Sequence, residues 1–159
     1  MPTKTPLHLT LRSDFAVGAR SLRRHRPLIK KVLTRSSRRF NIRIYEYAVV
    51  SNHIHIVIKG KRRSDLQNFF RVVAGHIAQE ILRVYPIVHT VLTQRGAVPP
   101  KPATREKENE FWQTRIYSKI TNWGRHFRNV IAYVIQNELE ASGVIAYTPR
   151  KKRQVINTS

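Results

Sequence analysis

Val49-Val50-Ser51-Asn52-His53-Ile54-His55-Ile56-Val57-Ile58-Lys59-Gly60 is the stretch from which the fold can be read. β-Branched residues dominate it, which predicts a strand. Side chains alternate faces along a strand, so His53 and His55 share one face. Ile54, Ile56 and Ile58 share the other and predict a core beneath it. Ser51-Asn52 marks a tight turn, and Ile42 to Val50 before it predicts the antiparallel hairpin partner. Two imidazoles on one face, backed by an apolar one, could grip a metal ion or a phosphate.

Working outward, Leu7-His8-Leu9-Thr10-Leu11-Arg12 alternates as a half-buried strand. Residues 18–39 predict a helix with Leu22, Leu28, Ile29, Val32 and Leu33 as its apolar positions, and Pro27 sets a start for the helix proper. Ser64-Asp65-Leu66-Gln67 fits a capping box with Ser64 as N-cap. The helix it opens carries Leu66, Phe69, Phe70, Val73, Ile77, Ile81 and Val84 and ends by Pro86. Residues 94–110, with Gly96, Pro99, Pro100 and Pro102, predict a loop or flap. Phe111 to Thr121 contains a short strand. A last helix spans about 124–141, with Phe127, Val130, Ile131, Val134 and Ile135 as its stripe and Gly143 as its stop. The order βαββαβ predicts an α+β ferredoxin-like sandwich: a four-stranded antiparallel sheet with helices packed on one face, then a tyrosine-bearing C-terminal helix. One domain over residues 1–148 is expected, followed by a basic mobile tail, 149–159.

The charge narrows the function. Thirty Lys and Arg oppose nine Asp and Glu, a formal +21. A partner dense in phosphate is the simplest explanation. From Phe15 to Tyr45 there is no acid at all, while Arg20, Arg23, Arg24, Arg26, Lys30 and Lys31 open a run of cations expected to contact DNA. Arg115, Tyr117 and Lys119 form a second candidate group of DNA contacts, and Trp112 and Trp123 are candidates for base stacking. The chain has no cysteine, so disulfides, thiolate zinc sites and iron–sulfur clusters are excluded. The one run of clustered carboxylates, Glu106 to Glu110, lies in the polar loop, which disfavours a two-metal nuclease. No Gly-rich phosphate loop is present, so ATP-driven activity is not expected. No apolar run approaches a membrane span, and the N-terminus lacks the apolar stretch of a signal peptide. A cytoplasmic, nucleoid-associated location is expected.

Two imidazoles alone make a poor metal site; another ligand is needed. Tyr133 and Asn137 are four residues apart, hence neighbours on the last helix, beside its apolar stripe. An ordinary boundary tyrosine and a surface amide would show the same spacing.

Three segments together resemble the single-tyrosine HUH transposases, the family of the small insertion-sequence and REP-associated tyrosine transposases. Ser51-Asn52-His53-Ile54-His55-Ile56-Val57 is similar to its histidine–hydrophobe–histidine strand. Phe111-Trp112-Gln113-Thr114-Arg115 is similar to its aromatic-Trp-Gln segment. Tyr133-Val134-Ile135-Gln136-Asn137, followed by Ala141-Ser142-Gly143, is similar to its terminal tyrosine helix. The resemblance covers about residues 7–146. Glu138 and Ser51 stand where the family often has proline, and the segment between 86 and 110 is longer than in the family. The resemblance implies a nuclease and strand transferase acting on single-stranded DNA at hairpins, through a 5′-phosphotyrosine. His53, His55 and Asn137 would ligate a divalent cation, Mg²⁺ or Mn²⁺, and Tyr133 would be the nucleophile. Tyr117, between Arg115 and Lys119, is the rival nucleophile. Monomers and homodimers both occur among relatives. Two other readings stand beside this one. A water-using metal phosphodiesterase would need no tyrosine. A non-catalytic nucleic-acid binder on a ferredoxin-like sheet would use Tyr45 and Tyr47 as its stacking pair.

Overall fold

Strand β3, His53–Lys59, lies inside a four-stranded sheet of order β2-β3-β1-β4, with β1 at Leu7–Arg12, β2 at Arg43–Val49 and β4 at Tyr117–Ile120. Every pairing is antiparallel. The structure, a computed structural model, describes residues 5–87, 111–113 and 116–149. The loop expected at 94–110, the cation at Arg115 and nearly all of the basic tail lie outside the described residues. Among the described residues no helix is long and apolar enough to cross a membrane.

The expected ferredoxin-like arrangement is present, with a helical layer on each face. Helices α1, Arg26–Arg39, and α2, Arg63–Val84, cover one face. Leu9, Leu11, Ile54, Ile56 and Ile58 meet Ile29, Leu33, Phe69, Val73, Ile77 and Ile81 there. Ile54, Ile56 and Ile58 are fully buried. At roughly 1.5–3 kcal/mol for each such side chain, this layer supplies much of the drive to fold. The last helix, α3, Arg125–Ser142, crosses the other face, where Val134 packs on Ala48 and Val57. Both faces of β3 are therefore covered, and its five central residues are all buried.

Several local expectations change. Residues 18–25 form two short 3₁₀ turns, Gly18–Arg20 and Leu22–His25, and α1 begins at Arg26 with Pro27 in its first turn. Ser64 is not the N-cap of α2. Arg62 holds that position with no side-chain cap, and Ser64 lies inside the first turn. Val84 is exposed at the end of α2, and Ile135 is 40% exposed on α3. Phe127, Val130, Ile131 and Val134 already fill the stripe over the sheet, and Ile135 falls at its margin.

A register shift between Ile44 and Glu46 on β2 alters the tyrosines. Tyr45 faces α3, whereas Tyr47 packs against the opposite core. The bulge inserts one residue, so positions two apart no longer share a face. Tyr45 and Tyr47 cannot form the paired stacking platform of the non-catalytic binder. Trp112 is also removed from the stacking candidates. It is 9% exposed in the main core, and its Nε1 donates to the Ala74 carbonyl at 2.8 Å.

Candidate active site

The two central strands bring three histidines together. Register sets Thr10 opposite His55, and His8 opposite Val57. His8, Thr10, His53 and His55 therefore share the face that α3 crosses. The rings of His53 and His55 lie 4.8 Å apart and cross at 85°. The rings of His8 and His55 lie 5.2 Å apart. Only His53 and His55 were legible as a pair in sequence. His8 was missed because a single histidine in an alternating strand is an ordinary residue until its register is known.

Hydrogen bonds orient the imidazoles. His53 Nδ1 lies 2.8 Å from Asn52 Oδ1. That oxygen only accepts, so the proton sits on Nδ1 and the lone pair on Nε2. Asn52 is itself held, because Ser13 N–H donates to its carbonyl at 2.8 Å. His55 Nδ1 lies 3.1 Å from Thr10 Oγ1 and 3.2 Å from His8 Nε2. Donation from His55 Nδ1 to either partner puts its lone pair on Nε2 as well. Burial, and then the Lys119 ammonium, hold His8 below the usual histidine range. His8 is thus a neutral neighbour that can accept a hydrogen bond.

Helix α3 delivers the tyrosine. The Tyr133 ring stands 5.4 Å from that of His55 and 6.1 Å from that of His8, edge-on to both. Tyr133 keeps 36% of its surface exposed. Asn137, one turn on, is buried at 7% exposure rather than lying on the surface. Its Nδ2 donates to the Tyr133 carbonyl at 2.6 Å, which leaves the amide oxygen as the atom able to ligate. Glu138 pins the end of the helix: Oε2 accepts from Val49 N–H at 2.9 Å, and Oε1 pairs with Arg26. Gly143, at φ 77°, closes α3 in the left-handed conformation expected of it.

Between α3 and β4 runs a groove of about 780 Å³, floored by His8, Thr10 and His55 and walled by Tyr133, Val130 and His126 on one side and Tyr117 and Lys119 on the other. Tyr117 pairs with Thr10 in register and is 59% exposed. Both candidate nucleophiles thus line the same groove. Arg12 and Lys119 make it cationic.

Two of the expected metal ligands, His53 and His55, stand side by side on this face. Each of His53 and His55 has its Nδ1 engaged by a neighbour, the usual way a protein orients a ligating imidazole. Among the described residues no three His, Asp or Glu side chains gather in a metal-holding group. His8 backs His55 instead of joining it, because its Nε2 points at the His55 Nδ1.

The cations expected from the basic run are spread out. Arg20 is committed to the protein, donating to the Phe15 carbonyl at 2.9 Å and to the Pro86 carbonyl at 3.2 Å. Arg26 is paired with Glu138. Arg23 and Arg24 are exposed on the second 3₁₀ turn, and Lys30 and Lys31 on α1. Helix α1 lies behind the sheet, on the face away from the histidines.

One similar solved structure is a REP-associated tyrosine transposase bound to a REP hairpin: 12% identity, TM-score 0.55, covering 86% of this chain and 67% of that one. Another is a candidate transposase from Deinococcus radiodurans: 14% identity, TM-score 0.47, covering 84% and 89%. Residues 19–97 match the family model described as "Transposase IS200 like". Just under half of the chain is thus similar to this family of IS200-like transposases. The matched stretch includes His53 and His55 and ends before Tyr133. No curated protein matches the chain.

Proposed function

We propose that this protein is a transposase that cuts and rejoins single-stranded DNA beside hairpins, with Tyr133 as its nucleophile. The observation that carries the reading is the Tyr133 ring 5.4 Å from His55, above the face that also holds His53. The match to the family model supports a DNA-processing enzyme, and the charge of +21 supports a polyanionic substrate. The relative bound to a REP hairpin supports hairpin DNA as the class of substrate.

The Tyr133 oxygen would attack the scissile phosphorus and lose its proton to solvent. A phosphorus–oxygen bond to tyrosine forms as the bond to the 3′ oxygen breaks. The leaving oxygen takes up a proton and departs as a 3′-hydroxyl. The 5′-phosphotyrosine conserves the bond energy, so a 3′-hydroxyl can reverse the step without ATP. A free phenol has a pKa near 10 and is a weak nucleophile at neutral pH. His53, His55 and Asn137 would hold Mg²⁺ or Mn²⁺, which would draw charge from the scissile phosphate. Mn²⁺ suits imidazole better than Mg²⁺ does. Arg12 and Lys119 would contact the strand lying in the groove.

Tyr117 supports a second reading, because it lines the same groove and is the more exposed of the two. One assay separates the readings. Labelled hairpin DNA with a single-stranded flank is incubated with Mn²⁺ and run on a denaturing protein gel. A covalent adduct lost in Tyr133→Phe and kept in Tyr117→Phe is expected. Loss in Tyr117→Phe alone would reassign the nucleophile. Cleavage without adduct in Tyr133→Phe would favour a water-using phosphodiesterase. Binding without cleavage under any metal would favour a non-catalytic binder.

A further inference from the structure

A second concavity, of about 690 Å³, opens at the end of the sheet remote from the His53 hairpin. Arg38 from the end of α1, Arg43 from the start of β2, Lys59 from the end of β3 and Lys61 from the following turn converge on it. Among the described residues none of these four has a carboxylate within ion-pairing distance. The dipole of α1 accounts for a cation at Arg38. It does not account for the other three, which come from separate elements. Four like charges on one concave surface repel one another, and a bound polyanion would relieve that repulsion.

Aromatic rings stand beside the cations. Lys59 Nζ sits 5.1 Å above the Trp123 ring, and Arg43 Cζ sits 5.1 Å above that of Tyr45. Trp123 is packed edge-on by Tyr45 and tilted against Phe127, yet 48% of it is exposed. A ring held in place with an open surface is a stacking platform for a base. Lys59 also shares its strand face with His55. At roughly 3.3 Å per residue, the two are about 13 Å apart along β3.

We infer that this groove is a second DNA site, distinct from the cleavage groove. It would hold a single-stranded flank by its phosphates, with one base on Trp123. The inference rests on the reading of DNA as substrate, and its test keeps the two apart.

The test measures binding, not cleavage. Fluorescence anisotropy follows two oligonucleotides over a salt series, a blunt hairpin and the same hairpin with a single-stranded flank. Arg43→Gln/Lys61→Gln is compared with Arg71→Gln/Arg83→Gln, which removes equal charge from the outer face of α2. All four positions are exposed, and melting curves of the variants check that they fold. Each lost contact to a single strand should lower the salt slope by about 0.7. The Arg43/Lys61 variant should therefore lose about 1.4 on the flanked hairpin and little on the blunt one, and the α2 variant little on either. The emission of Trp123 should be quenched by the flanked hairpin, and that quenching should vanish in Trp123→Phe, which retains buried Trp112. Equal losses in both variants, or no change in slope, would overturn the site. Equal loss on both oligonucleotides would overturn the assignment to the flank and give the groove to the stem. If wild-type protein binds neither oligonucleotide, the reading of DNA as substrate itself fails.

Discussion

Tyr133 stands edge-on to His55 with ring centroids 5.4 Å apart, which joins the C-terminal helix to the central strand of the sheet. Seventy-eight positions separate the two residues in sequence. The contact exists because Val134, the next residue, is fully buried against Ala48 and Val57. The apolar side chain anchors the helix, and its neighbour is thereby aimed along the groove.

Glu138 should matter for both stability and activity. It takes the Val49 N–H and pairs with Arg26, so Glu138→Ala leaves two polar groups short of a partner. A loss of about 1–3 kcal/mol is expected, read by denaturant melts. Adduct formation should fall further than the melt predicts, because the end of α3 is released near Asn137. Full adduct yield at unchanged stability would show that this anchor is dispensable.

His8 should act through His55. In His8→Ala the His55 Nδ1 keeps Thr10 but loses its second partner. Mn²⁺ affinity, measured by titration with electron paramagnetic resonance detection, should weaken about 10–100-fold. Unchanged affinity would mean that Thr10 alone orients the ring.

Gly60 is a site of close approach. A Cβ there would meet Ile42 Cδ1 at 2.7 Å and Leu66 Cγ at 3.0 Å. Gly60→Ala should cost about 1–3 kcal/mol through overpacking. A thermal melt checks this, and an unchanged melting temperature would show that the Ile42 and Leu66 side chains yield freely.

Tyr47 should make stability fall in alkali. Burial, then the Glu46 carboxylate, raise its pKa above 10, against a smaller opposing effect of Arg26. Above pH 10 the unfolded chain gives up this proton before the folded one, so the folded state binds more protons and stability drops as pH rises. The contribution is complete below pH 10 and is lost through the raised folded pKa. Tyr47→Phe should flatten that limb of a stability–pH curve. An identical limb in the variant would assign it to other groups.

The strands, the helices, the Ile54-Ile56-Ile58 core face and the paired histidines were all legible in the chain. Each rests on a short period, two residues for a strand and about 3.6 for a helix, and such periods are local. What was not legible rests on register or on crossing geometry. His8 meets His55 only because Thr10 pairs with it across the sheet. Tyr45 and Tyr47 part company only because β2 carries a bulge at Ile44 and Glu46. Ser64 matched a capping pattern, but α2 is capped two residues earlier, at Arg62, where no side chain closes it.

By itself, the sequence determined which residue types could do chemistry and on which face of their own element each would stand. The tertiary structure decided which of those faces meet. Helix α3 could have joined α1 and α2 behind the sheet. The buried histidine face, with Ala48 and Val57 beside it, gave Val134 a place to pack, and that burial set Tyr133 over His55. Burial of an apolar stripe is not directional in sequence, so only the folded chain could choose its partner.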